Sequence, residues 1–408
     1  MGILDSILAN GGNVKLALED QEILQALDGD ASVDDATQLA LAKAATDQSP
    51  DPVAVSTQDV LTVSNELSEE LQGTDEAEDM IVALENISFA LKRAKNPLDL
   101  AIAYESYSAL CKATHLPAPK ALSVEALDSD LEGQRQLALE GIAELKSKLV
   151  GLVTGGFERV AKLLTKAGAA TAIAGKEQTI RSKSLLGGLF GSRNWDPAAL
   201  VTIPKSGLER YGKAAANPLE FSSTVIAAID VLFNGGKSLW SVFVGDYLGW
   251  VNNGCPADPG RFSRYLVPEK HTAVLPLHPR LENNKIVFDK PEPYKGEAQI
   301  VVGDKTYMKN LLANTNACAE IFVSMDKFFG NFENHYGDIK KKLDEYIAKR
   351  SEEDAYFKDR TAEDFRECQR RIERSVDYFV ALAAYFVEVN AFLLEFATAA
   401  VAAGEAKK

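Results

Sequence analysis

Cysteine is scarce in this chain and scattered. The four residues, Cys111, Cys255, Cys318 and Cys368, lie far apart with no C-x-x-C pair, which argues against a disulfide framework or a zinc site. The four histidines (His115, His271, His278, His335) are as dispersed. H-E-x-x-H, G-x-S-x-G and D-x-D-x-D-G motifs are all missing, so the sequence names no catalytic residue, no cofactor-binding residue and no metal ligand. The N-terminus, MGILDSILANGGNVKLALED, lacks the basic start of a signal peptide and lacks basic residues or a second anchor to support myristoylation. These features lead to the expectation of a protein made in the cytoplasm. The last apolar stretch is interrupted by Asp377, Glu388 and Glu395, so it contains no run of 18 uncharged residues. It reads as a buried bundle helix.

Positive charge is nearly missing from the first quarter. Residues 1–90 hold 19 Asp/Glu and 2 Lys/Arg, a net of −17, against −15 for the whole chain of 408 residues. The remainder is close to neutral. Aromatics are also missing from residues 28–75, which are rich in Asp, Ser, Thr, Ala and Gln. That composition suits a loose, acidic segment with short helices, either a solvated tail or a removable one. On this reading, limited proteolysis removes the region before about residue 75 first.

Beyond residue 75, helical periodicity dominates the chain. Met80, Leu84, Ile87 and Leu91 recur at helical spacing until Asn96-Pro97, which stops or restarts the helix. Pro117 and Pro119 mark a break, Ser123-Val124-Glu125 can cap the next start, and Leu137, Ile142, Leu145, Leu149, Leu152 and Val153 form another stripe. Residues 151–220 carry 10 Lys/Arg and 5 Asp/Glu. Within them GKEQTIRSKSLLGGLFGSRNW places bases at helical intervals before a Gly-rich break. Such a face is either solvated or in contact with nucleic acid or an acidic partner. Without interleaved aromatics it cannot read bases by stacking.

The stretch DVLFNGGKS looks like the end of a phosphate-binding loop, but the first glycine of G-x-x-x-x-G-K-[ST] would fall at Val231. Val225, Ile229, Leu232 and Phe233 form a helix stripe, whereas such a loop must succeed a buried parallel strand. Leu239, Phe243, Tyr247 and Val251 repeat every four residues, and Gly245 and Gly249 would let a neighbouring helix approach. The Walker-B candidate, Asp304 in QIVVGD, falls amid the wrong elements. Pro-rich residues 254–306 contain the strand-like KIVF and AQIVV and predict a small β-insertion. Helices then return as a long antiparallel pair joined near 351–361. Phe328, Phe329, Phe332, Tyr336, Phe379, Tyr385 and Phe386 occupy its core stripe.

The expected fold is therefore mainly α, a multi-helix bundle with long helical hairpins. Its parts are an acidic region at 1–75, a helical domain at 76–253, the β-insertion at 254–306 and a C-terminal helical hairpin at 307–408.

This layout, with ALSVEALDSDLEGQRQLALEGIAELKSKLVGLVTGGFERV after the acidic region, resembles the internal head (inner body) proteins of giant tailed bacteriophages. The resemblance implies a non-enzymatic virion structural protein in the capsid interior. It would be made in the host cytoplasm and packaged with other head proteins, in non-specific contact with packaged DNA. It also implies a propeptide that a prohead protease removes by cutting after Glu in small-x-Glu sequences. The tripeptides that fit are Ser64-Asn65-Glu66, Ala83-Leu84-Glu85, Ser123-Val124-Glu125 and Ala138-Leu139-Glu140. Cutting after Glu85 removes a net −17 and cutting after Glu125 a net −15, so these two are the candidate sites. No stable membrane insertion is expected. A helical membrane-interacting or pore-forming protein using 239–251 and 376–403 is the alternative, and an uncharacterised enzyme the third reading.

Overall fold

The computed structural model describes residues 51–113, 131–192, 194–230, 233, 279–282, 285–288, 294, 299–330 and 355–405. The fold is mainly α, a multi-helix bundle with two small antiparallel strand pairs among the described residues. Helix α1 spans Pro52–Arg93, α2 Pro97–Ala113 and α3 Leu131–Gly191. Next in the chain are strand β1 (Leu200–Thr202), α4 (Lys205–Tyr211) and α5 (Pro218–Ile229). After them come β2 (Pro279–Glu282), β3 (Lys285–Phe288), β4 (Gln299–Val301), α6 (Lys305–Val323) and α7 (Ala355–Gly404). The described residues form two compact units, one of 77–150 and one of 52–76 with 151–405; α1 and α3 each contribute to both.

Helix α1 changes the reading of the acidic region. Its 42 residues begin at Pro52, where a loose segment was expected up to residue 75. The reason is a seven-residue repeat. Val53, Val60, Leu67 and Thr74 are buried. So are Ser56, Val63 and Ala77, three residues after Val53, Val60 and Thr74, and Leu71, four after Leu67. That spacing gives a continuous seam on one helix side and leaves most of the acids on the other. Aromatics are unnecessary when Val and Leu fill such a seam. Residues 1–50 lie outside the described residues.

In the larger unit the core centres on α7. From Val376 to Ala402 the helix is buried around most of its circumference. Partial or full exposure is confined to one side, along Ala381, Glu388, Ala391, Glu395, Thr398, Ala399 and Ala402. Two of its acids therefore sit on the single side that meets solvent. The third, Asp377, is buried and accepts a hydrogen bond from the Ser68 hydroxyl of α1. Phe328, Phe329, Phe379, Tyr385 and Phe386 are all core residues, as their spacing indicates; Phe332 and Tyr336 lie outside the described residues.

Helices α3 and α6 run antiparallel at close range. A Cβ on Gly175 would stand 2.7 Å from the backbone of Ala319 and Val323, and one on Gly168 3.1 Å from Asp326 Cα. Only glycine admits that approach. Further along, α3 continues through Gly187-Gly188 to Gly191, where a Gly-rich break was expected. Both glycines face open space, while Leu185 and Leu186 pack on the core and Leu189 is fully buried, so packing outweighs low helix propensity.

The β-insertion contributes a hairpin, β2 against β3 with Arg280 opposite Val287. Strand β4 does not pair with it. It pairs antiparallel with β1, Leu200 opposite Val301, a partner the sequence did not suggest. Trp195 secures this corner by donating from Nε1 to Gly303 O at 2.9 Å and laying its ring against Gly404 at the end of α7.

The smaller unit packs the ends of α1 and α3 around α2. Asn96 caps α2 by accepting from Asp99 N at 2.9 Å, with Pro97 as the first helical residue, so the Asn-Pro stop-and-restart signal acts as expected. Leu84, Leu91, Leu100, Ile142 and Leu149 fill its core, whereas Leu137 of the expected stripe is 63% exposed.

Candidate functional site

The Gly-Lys-Ser sequence lies outside the described residues, but the residues leading into it do not. They form α5, a helix, with Val225 and Ile229 fully buried. Phe233 then inserts among Phe328, Phe379 and Phe386, with ring centroids 5.6–6.3 Å apart. A phosphate-binding loop needs a parallel strand at this point. Asp304 is also accounted for: it is the N-cap of α6, its carboxylate accepting from Tyr307 N at 2.7 Å. The strand before it, β4, is antiparallel. Among the described residues, neither the approach to Gly-Lys-Ser nor the surroundings of Asp304 have NTPase geometry.

Two polar groups of residues interrupt the core of the larger unit. In the first, Asn390 of α7 donates to Gln178 Oε1 at 2.9 Å and to Thr315 O at 3.0 Å, and Gln178 donates to Val387 O at 2.9 Å. Both side chains are fully buried, so this layer ties α3, α6 and α7 into one register. Ser182 continues it by donating to Asn316 Oδ1 at 3.1 Å. In the second, Glu388 meets Arg210 Nη2 at 2.7 Å beside the rings of Tyr211 and Tyr385. Burial raises the carboxyl pKa, and the Arg210 charge only partly offsets it. The Tyr211 ring also packs on Phe392, which lies over Gly207.

Neither Cys111 nor Cys318 is placed for thiol chemistry. Burial pushes Cys318 up to about 12. It also raises Cys111, which packs with Tyr107 in the smaller unit. Among the described residues no three His, Cys, Asp or Glu gather to hold a metal ion. The smaller unit carries an open groove of about 450 Å³ between α1 and α2, lined by Ile87, Ala90, Ala94, Ile102 and Ala103 with Arg93 and Asp99. Its lining offers no set of groups arranged for catalysis.

Comparisons with protein-family models, with curated proteins and with solved structures found no match.

The most consistent electrostatic feature joins α1 to α3. In the larger unit Glu66 meets Lys166 at 3.0 Å and Glu70 meets Arg159 at 2.8 Å. In the smaller unit Glu85 meets Lys146 at 2.5 Å. Every pair has its acid on α1 and its base on α3. The candidate cleavage residue Glu85 is thus inside a helix and paired. Glu66 and Glu140 are also helical, and Glu125 lies outside the described residues, between α2 and α3. A protease needs an extended segment, so a cut after Glu85 requires α1 to be open. Val60, Val63, Leu67 and Leu71, which fill the core, leave with the N-terminal fragment after either candidate cut, at Glu85 or Glu125. The heptad seam was the signal that could have placed these acids on a structured helix.

Proposed function

We propose that this chain is a non-enzymatic structural protein of a phage virion, packaged inside the head and in non-specific contact with DNA there. One observation carries the reading: the first 90 residues hold a net −17, while the rest of the chain is nearly neutral. A body without strong net charge can share a compartment with a dense polyanion, and an acidic front part keeps the newly made chain soluble. The helical bundle supplies a rigid body for such a role.

Processing by the prohead protease is part of the proposal, and the helix boundaries bear on its position. Cutting after Glu125 leaves every described helix whole, whereas cutting after Glu85 severs α1. We therefore favour the cut after Glu125.

The membrane-interacting alternative has its own observation. Residues Val376–Gly404 have a mean hydropathy of 1.7 and the length to cross a bilayer. In this fold 78% of that window is buried in the bundle. The test is fractionation. Co-purification of the chain with DNA-filled heads supports the head-interior role, and flotation with liposomes in its place supports the alternative.

A further inference from the structure

From Lys162 onward the outward side of α3 in the larger unit is basic; the exposed Glu158, one turn earlier, is the acid that precedes it. From residue 162 to residue 188 the exposed positions include Lys162, Lys166, Lys176 and Lys183, and none of them is an acid. At 100° per residue these four lysines fall on one side of the helix, along about 30 Å of its length. The partly buried Glu177 is the one acid in the segment, at the edge of that side. Lys166 is held by Glu66 of α1 at 3.0 Å. Lys162, Lys176 and Lys183 make no ion pair among the described residues.

We propose that this lysine face binds the phosphate backbone of duplex nucleic acid without regard to sequence, and that Glu66 holds one of its four bases in reserve. The length of the row is close to one turn of a duplex, about 34 Å. Compact ammonium groups on flexible stems suit phosphate contacts. Thr165, Ala169 and Ile173 are the exposed residues between the lysines, and none is aromatic, so nothing there stacks on bases. Ile173, at 53% exposure, is the one large apolar side chain among these, and Phe190, two turns past Lys183, has Lys309 over its ring; two separated side chains are too little to seat the face in a bilayer. The inference rests on the head-interior reading for its biological setting.

The test uses the purified full chain and two labelled duplexes of unrelated sequence, titrated by fluorescence anisotropy from low to moderate salt. Three free lysines predict a slope of log K against log salt of about −3, roughly a 40-fold loss between 50 and 200 mM, equal for both duplexes. Joint Lys162→Gln, Lys176→Gln and Lys183→Gln should remove most of that slope and leave the thermal midpoint unchanged. Glu66→Gln acts in the opposite direction: releasing Lys166 should steepen the slope by about one. The proposal is overturned if the wild-type chain does not bind duplex at low salt, or if the triple variant keeps the wild-type slope. It is also overturned if Glu66→Gln leaves the slope unchanged, or if the lysines matter only for binding vesicles of anionic lipid. No particle enters this assay, so its failure leaves packaging in the head to be judged separately.

Discussion

Asn390 is the residue on which the register of three helices converges. Its amide donates to α3 and α6 at once, deep in a helix otherwise filled by Phe, Leu, Val and Ala. Asn390→Ala would leave Gln178 Oε1 and Thr315 O buried without that donor, at a cost of about 1–3 kcal/mol for such groups. Equilibrium denaturation should show that loss. Glu388 has a different sensitivity. Its folded-state pKa is raised, so the folded protein favours the protonated carboxyl. Stability tied to this group is therefore present below the ordinary carboxylate pKa and falls as pH rises through the raised one. Glu388→Gln cannot ionise and should flatten that part of the stability–pH profile, even though it also loses the Arg210 pair.

At the scale of elements, the sequence was legible where periodicity and capping agree, as at Asn96-Pro97. It was also legible where charge interrupts a long apolar helix. Asp377, Glu388 and Glu395 ruled out an uncharged span, and the fold puts two of them on the solvent side of α7. Two elements escaped. Helix α1 was hidden because acidity and lack of aromatics suggested a loose segment, while its seven-residue seam of Val, Leu, Ser, Thr and Ala passed unread. Strand β1 was hidden because its three residues gain a partner only from β4, about a hundred residues later, and no local pattern reports that. Leu67→Ala distinguishes the two readings of α1. As a fully buried core residue it should cost about 2–5 kcal/mol, whereas a loose tail would register no change in the unfolding midpoint. Limited proteolysis should agree. Helix α1 should stay within the stable core, and a first stable fragment beginning after residue 75 would return α1 to the tail.

For the whole molecule, charge was readable from composition, but its placement was not. Nine of the acids in residues 1–90 lie on α1, and three of them pair with bases of α3. That part of the acidic region serves as the electrostatic complement of the body, which is why a cut that removes it costs core contacts. The helix that leads into the apparent nucleotide motif argues against a nucleotide site. Lys237→Ala should leave binding of ATP and GTP as it was, with none at micromolar ligand. Saturable binding abolished by that substitution would restore the NTPase reading.

The central claim is a place inside the phage head with one cut between α2 and α3. Mass spectrometry of the protein recovered from DNA-filled native particles tests it most directly. The account predicts a chain beginning at Ala126, without the net −15 of residues 1–125. Absence of the chain from such particles would contradict the head-interior role, and an uncut chain within them would contradict the processing.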